Sequence, residues 1–329
     1  MWTQYTLSGG VLKVMALFPP LGPDDDWTAR LEAGGRKAEA HIDPLSRTAV
    51  FRLEGWDDTR DADYRVLYRW QDAEHAWAGR VRKDPRGGGE LRVGVFSCDH
   101  GECFPQQRMV RNIQIQDPDV VFFAGDQIYE GYGGFGVARD KPSEEAMLDY
   151  LRKYWQFGWT WRSILKDRPS VVIPDDHDVF QGNIWGQAGR PLPKKEASGP
   201  GFEQGGFLMP VDWVNAVQRT QAGHLPDPVD PAVRERYRSL LHGDALRRRE
   251  LLHPGRPQVQ DRAGIDPDAR AAGARAAGPS VVDVDGAEML GARQRSFSAS
   301  GCARRRMRSF GSCCRKRSFC KATTHAGGN

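Results

Sequence analysis

An α/β layer preceded by a small antiparallel β-sandwich is the fold class that three features of this chain predict. Between about residues 27 and 85, short segments alternate apolar and polar residues and are separated by turn clusters. Further on, short apolar runs alternate with helical patterns. Between the two regions lies the Gly-rich stretch Lys83-Asp84-Pro85-Arg86-Gly87-Gly88-Gly89, a natural linker.

Each element follows from its pattern. In Asp63–Trp70, residues Tyr64, Val66, Tyr68 and Trp70 share one face and Arg65, Leu67 and Arg69 the other. Ala49, Phe51 and Leu53 repeat the alternation, as do Ala38, Ala40 and Ile42, and Gly34-Gly35 and Asp57-Asp58 mark turns. Such strands suit a sandwich of immunoglobulin or fibronectin type III size, and this predicts an N-terminal domain over 1–88. Past the linker, Leu91–Cys98, Asp119–Gly125 and Pro169–Asp176 are apolar runs expected as strands buried on both faces. Between the last two, Met147, Leu148, Leu151, Tyr154 and Trp155 recur at helical spacing. Ser143 is the expected cap of that helix, with Glu144 and Glu145 in its first turn.

Composition narrows the function classes. With 329 residues and 39% hydrophobic content, the chain can bury the core of two ordinary domains or one large one. No run of eighteen apolar residues occurs, so no membrane span is expected. The first residues lack the basic, apolar and small-residue succession of a signal peptide, which leaves a cytoplasmic location as the default. Two cysteines, Cys98 and Cys103, precede residue 302, too few for a disulfide framework. The formal charge of +4 is unevenly divided. Residues 289–329 carry ten Lys or Arg and no acid, which leaves residues 1–288 at −6. The basic tail has no interleaved aromatics and no recognisable module, so specific nucleic-acid binding is not expected.

Chemistry gathers at the ends of the three apolar runs. The first ends in Ser97-Cys98-Asp99-His100, the second in Gly125-Asp126-Gln127-Ile128-Tyr129-Glu130, and the third in Asp175-Asp176-His177-Asp178 followed by Gln181-Gly182-Asn183. Taken singly, each set reads as turn or cap chemistry, and Cys98 alone as a small buried hydrophobe. On three successive strands whose carboxyl ends share one crevice, they point to a metal site, because clustered carboxylates repel unless a cation offsets them. Trp155, Trp159 and Trp161 read as core, and Cys103 as structural. No P-loop is present, which argues against nucleotide-driven chemistry.

The segments PDVVFFAGDQIYE (118–130) and PSVVIPDDHDVFQGNIWG (169–186) resemble the alkaline phosphatase D (PhoD-like) branch of the metallophosphoesterases, as do the preceding VFSC and the strand-rich N-terminal region. The resemblance spans roughly residues 15–230. It implies a metallophosphoesterase-like mixed-sheet sandwich, with 89–233 as its N-terminal half, that hydrolyses phosphoesters with two or more metal ions, iron with calcium. By the same resemblance Cys98, Asp126 and Tyr129 bind one metal and Asp126 bridges to the second. Asp176 stands where the superfamily usually has a metal-binding Asn, and His177 faces the phosphate as transition-state stabiliser or leaving-group acid. Asp126 and His177 are thus the expected catalytic pair. Thiolate and phenolate ligands suit a ferric ion, and carboxylate oxygens suit calcium. The expected partner is a phosphoester substrate and the expected state a monomer; members of the branch are often exported.

From about Arg234 the patterning fails. All ten Trp lie at or before Trp213, Arg234–Arg262 lacks strand alternation, and ARAAGARAAG and GCARRRMRSFGSCCRKRSF have no periodicity. Residues 234–329 are expected to be a frameshifted and poorly ordered remainder of the second domain, ending before the branch's C-terminal metal-ligating segment. Little or no phosphatase activity is then expected, and a catalytically inactive remnant is the alternative reading. A one-base shift between Phe297 and Cys320 permits FLSEWVREAADAVVWELLSQTVF, with an amphipathic helix and an apolar strand. The nucleotide sequence tests this: the shifted frame is expected to encode that string, and a frame that cannot encode it removes the hypothesis.

Overall fold

The computed structural model describes residues 1–85, 90–99, 101, 104–134, 136–181, 207–227, 241–246 and 249–254. The expectations for His100, Cys103, the Gly182–Gly186 motif and nearly all of 234–329 lie outside these residues.

Seven strands build the first unit. β1 (Trp2–Ser8), β2 (Val11–Leu17) and β5 (Thr48–Glu54) form one antiparallel sheet in the order β1-β2-β5. β3 (Thr28–Ala33), β4 (Arg36–His41), β6 (Ala62–Trp70) and β7 (Ala73–Val81) form another in the order β4-β3-β6-β7. Both sheets contribute to one core, with Tyr5, Leu12, Val14 and Phe51 from the first and Leu31, Tyr64, Val66 and Tyr68 from the second. The fourth strand joins the third strand's sheet. In the constant-type immunoglobulin arrangement it would join the fifth strand's. Gly9-Gly10 and Gly34-Gly35 close two-residue hairpins with φ of 57° and 75°, and 54° and 80°, values of the primed turn that matches strand twist.

Two differences from the sequence reading have physical reasons. Trp70 is 48% exposed although it shares parity with buried Tyr64, Val66 and Tyr68, because the pairing of β3 with β6 ends at Tyr68. The β1–β2 hairpin was not expected, because β1 is buried on both faces and so shows no alternation. Its odd residues face the sandwich, where Tyr5 packs against Tyr64 and Thr3 hydrogen-bonds the Tyr64 hydroxyl at 2.6 Å. Its even residues face the second unit, where Trp2 packs on Tyr154 and Phe157, and Gln4 Nε2 donates to Tyr154 Oη and Thr220 O.

The second unit holds a parallel sheet in the order β10-β9-β8, built from β8 (Val93–Phe96), β9 (Val120–Phe123) and β10 (Ser170–Val172). Helix α1 (Gln107–Gln116) joins β8 to β9, and α2 (Ser143–Leu165) joins β9 to β10. Both helices pack on the same face, as crossovers of one hand require, and form a single core with Val121, Phe123 and Val172. Trp161 lies 4.7 Å from Phe96 and 4.9 Å from Phe123 between ring centroids. Helix α3 (Val211–Ala222) packs Trp213, Val214 and Val217 into the same core. Its end reaches round, so that Ala222 and Leu225 meet Val171 and Ile173 on the opposite face.

β9 and β10 are buried as expected, but β8 is not: Val93 and Val95 are 40% and 62% exposed. Both helices lie on the other face, and β8 is the edge of the described sheet. Helix α2 starts where the pattern indicates, yet its cap residue is Pro142, and Ser143 is the first helical residue. Leu241–Leu246 and Arg249–Pro254 form an antiparallel pair, β11 and β12. A ladder is made by backbone groups, so it can form without the side-chain alternation that the sequence lacks there. The described residues thus make a mixed α/β protein with several antiparallel sheets, few helices and no closed barrel. None of the described helices is long and apolar enough to cross a membrane.

The junction of the two units tests the packing argument. A Cβ on Gly158 would lie 2.2 Å from the Trp2 ring. In an exposed helix, Gly→Ala stabilises by roughly 1 kcal/mol. Here Gly158→Ala is expected to lower stability by about 1–3 kcal/mol through overpacking, measured as a fall in urea midpoint. A rise would show that the junction yields.

Candidate metal centre

Parallel strands bring their carboxyl ends to one edge, and the loops leaving β8, β9 and β10 meet there. Past the strand ends, Cys98 N donates to Gly125 O at 3.1 Å and Asp99 N to Asp126 O at 2.8 Å. The loops turn sharply. Cys98, Gly125 and Asp126 have φ of 58°, 98° and 57°, and non-glycine residues in this region store about 1–2 kcal/mol of strain each. At Gly125 a Cβ would lie 2.6 Å from Asp175 Cβ, so only glycine lets the end of β9 approach the end of β10 this closely.

That approach assembles a buried acidic triad. Asp126, Asp175 and Asp176 each offer a carboxylate oxygen, and the three atoms lie within 4.8 Å of one another. Asp126 Oδ1 is buried with no hydrogen-bond partner. Asp126 Oδ2 accepts long hydrogen bonds from the Cys98 thiol and the Tyr129 hydroxyl, each 3.4 Å. Carboxylates this close repel one another unless a cation intervenes. The orphaned oxygen, with carboxylate, thiol and phenol donors around it, therefore fits a multivalent metal ion. Burial, reinforced by neighbouring Cys98 and Asp126, raises the Tyr129 phenol well above its ordinary value. Tyr129 thus keeps its proton until a cation displaces it.

His177 stands beside this cluster in the short 3₁₀ turn His177–Val179, its ring centroid 4.3 Å from that of Tyr129. Its Nδ1 is 2.7 Å from Glu130 Oε2. Arg139 holds the other oxygen, Glu130 Oε1, at 2.9 Å and donates from Nε to Phe180 O at 2.8 Å. Burial pulls the His177 imidazole down, but the hydrogen bond and charge of Glu130 outweigh it, and the net shift is upward. Burial likewise pushes Glu130 up, and its bond to His177 turns the balance downward. Asp178 is fully buried, and burial, with the Asp126 charge adding to it, pushes its carboxyl up to about 7 against the hydrogen bonds that it accepts. A cleft beside Tyr129 is lined by Asp99, Gln106, Tyr132, Gln156 and Thr160.

The structure brings together Cys98, Asp126, Tyr129, Asp176 and His177, all singled out from the sequence. Cys98 is exposed, so the alternative of a buried small hydrophobe does not hold. Asp99 is tied elsewhere, accepting from Trp161 Nε1 at 2.7 Å and from Gln106 Nε2. Sequence reasoning gave no role to Asp175, Glu130 or Asp178. All three lie in the polar sets at the strand ends, but linear order does not tell which carboxylates turn toward one another.

No protein-family model matches the chain, and no curated protein matches it. Among solved structures, a GH family 64 laminaripentaose-producing β-1,3-glucanase from Paenibacillus barengoltzii is 7% identical. That alignment covers 29% of this chain and 26% of that one, with a TM-score of 0.20. Two structures of a Parabacteroides merdae β-glucuronidase, one with glycerol in its active site, are 11% and 14% identical. They cover 68% and 46% of this chain and 27% and 22% of theirs, with TM-scores of 0.24 and 0.19. The chain spans about a quarter of the length of these proteins, and such scores do not define a shared fold.

Asp126 separates repulsion from ligation. Asp126→Asn is expected to raise the thermal midpoint of the metal-free protein by relieving repulsion, and to abolish the rise that Mn²⁺ gives the unaltered chain. At a metal concentration 100 times its dissociation constant that rise corresponds to about 2.7 kcal/mol. A variant that still responds fully to Mn²⁺ would remove Asp126 from the ligand set.

Proposed function

We propose that the chain carries a metal-dependent phosphoester hydrolase site of the alkaline phosphatase D (PhoD-like) type. The observation supporting this most directly is the buried triad of Asp126, Asp175 and Asp176, flanked by Cys98 and Tyr129 and by a histidine oriented by a carboxylate. Cys98, Asp126, Tyr129 and Asp176 would hold the metal ions, iron with calcium, and Asp175 is a further oxygen donor beside them. Such ions, when bound, neutralise phosphoryl oxygens and acidify water.

The chain's own residues do the rest. Glu130 engages His177 Nδ1, which leaves Nε2 as the atom that meets a phosphoryl oxygen or donates a proton to the leaving alcohol. Arg139 holds Glu130 in place, so the imidazole is oriented by an ion pair that is itself anchored on Phe180 O. In the metal-free protein Glu130 shifts the His177 imidazole upward, toward the protonated form that a leaving-group acid needs.

A second reading, a remnant that keeps the site without turnover, is favoured by one observation. Among the described residues every candidate ligand comes from the three strand ends between Cys98 and Asp176. Hydrolysis of p-nitrophenyl phosphate and its bis ester tests both. Expected is slow, chelator-sensitive hydrolysis that falls roughly 10²–10⁴-fold in His177→Ala while metal content is retained. Hydrolysis indifferent to chelator and to His177→Ala would overturn the proposal, and substoichiometric metal without turnover would select the remnant.

A further inference from the structure

We infer that Asp178 is a positioning residue for the metal centre: its carboxylate ties the carboxyl end of β9 to that of β10 and so sets the separation of Asp126 from Asp175 and Asp176. The inference rests on the metal-centre reading above. Asp178 lies in the acidic run and is completely buried, yet it is not among the carboxylates that converge. Its oxygens are otherwise engaged. Oδ2 accepts from Asp126 N and Asp175 N, both at 2.8 Å. Oδ1 accepts from Gln127 N at 3.0 Å, Ile128 N at 3.2 Å and Gln221 Nε2 at 2.9 Å. Two carboxylate oxygens offer about four lone-pair sites, and five N–H groups occupy them. No acceptor capacity remains for a cation.

The bonds matter because of where they fall. Among the described residues, the backbone pairing of β9 with β10 ends at Ile173 N donating to Phe123 O, 3.1 Å. Beyond that point the loops bearing Asp126 and Asp175 share no backbone–backbone bond, and the Asp178 side chain continues the connection. It binds the amides of two triad members through one oxygen, so the distance between their Cα atoms follows from the span of a single acceptor. Gln221 of α3 closes the arrangement: Gln127 Nε2 donates to its Oε1 at 2.8 Å, and its own Nε2 also donates to Tyr150 Oη at 3.0 Å. An asparagine at 178 would turn an NH₂ group toward backbone N–H donors and break one half of the tie.

The test is Mn²⁺ titration of the full 329-residue chain, with amide hydrogen exchange of the metal-free protein over residues 124–130. Asp178→Asn is expected to weaken Mn²⁺ binding about 10–100-fold, the range for groups that orient ligands, and to speed exchange over that segment. Gln221→Ala leaves the four backbone bonds intact and is expected to keep affinity within about 3-fold, below the losses typical of ligand-orienting groups. Should Asp178→Asn not fold, Asp178→Glu retains the charge at a different reach and is expected to bind at least about 10-fold more weakly. Undiminished Mn²⁺ affinity in either Asp178 variant overturns the inference, as does an equal loss in Gln221→Ala. If the unaltered chain takes up no Mn²⁺, the metal-centre reading falls and the inference with it; unaltered binding in both chain and variant overturns the inference alone.

Discussion

Electrostatic repulsion among buried carboxylates is the constraint around which the second unit is organised. Asp126, Asp175 and Asp176 are held where water cannot screen them well, with one oxygen of each within 4.8 Å of the others. Nothing in local backbone preference favours that arrangement. Cys98 and Asp126 adopt left-handed conformations, and Gly125 is needed for the approach at all. Strain and like-charge repulsion in the same few residues persist only when the surrounding packing is strong enough to hold them. Here that packing is the aromatic layer under the sheet, where Phe96, Phe123, Phe157 and Trp161 contact one another edge to face or tilted.

The sandwich belongs to the same support. β1 is buried on both faces, giving alternate residues to the sandwich core and to the α2–α3 layer. Thr6 donates to His224 O, Tyr64 Oη donates to Lys166 O at 3.0 Å, and Arg80 N donates to Asp167 Oδ1 at 3.0 Å. Buried polar side chains are costly unless paired, and the Gln4 amide donates across this junction to Tyr154 Oη and Thr220 O. α3 in turn presents Gln221 to the hydrogen-bond system behind the acidic triad. A path of packed and hydrogen-bonded groups thus runs from the first strand of the chain to the loops that carry the acids.

Legibility in the sequence followed burial geometry. β4, β5 and β6 were readable because one face meets the core and the other meets water, which writes a period of two into the residues. β9 and β10 were readable as apolar runs because both of their faces are covered. β1 has both faces covered too, but by polar and apolar neighbours in turn, so WTQYTLS matches neither template. β8 carries the apolar run of a buried strand yet leaves Val93 and Val95 open on the face that no described helix covers.

At the site, residue types at three strand ends pointed to a metal crevice, since parallel strands end at a common edge, and the resemblance to the PhoD-like branch singled out Cys98, Asp126, Tyr129, Asp176 and His177 within it. Which acid does what was decided in three dimensions. Asp175, Asp176 and Asp178 lie within four consecutive residues and are chemically identical, yet two join the triad while the third turns inward to accept backbone amides. Glu130 looks no different from a surface acid until His177 and Arg139 are brought to its two oxygens. Periodicity and composition report how each segment divides between core and water, a local property. The direction of a single carboxylate depends on donors contributed by distant segments, and those meet only when the sheet and helices have packed.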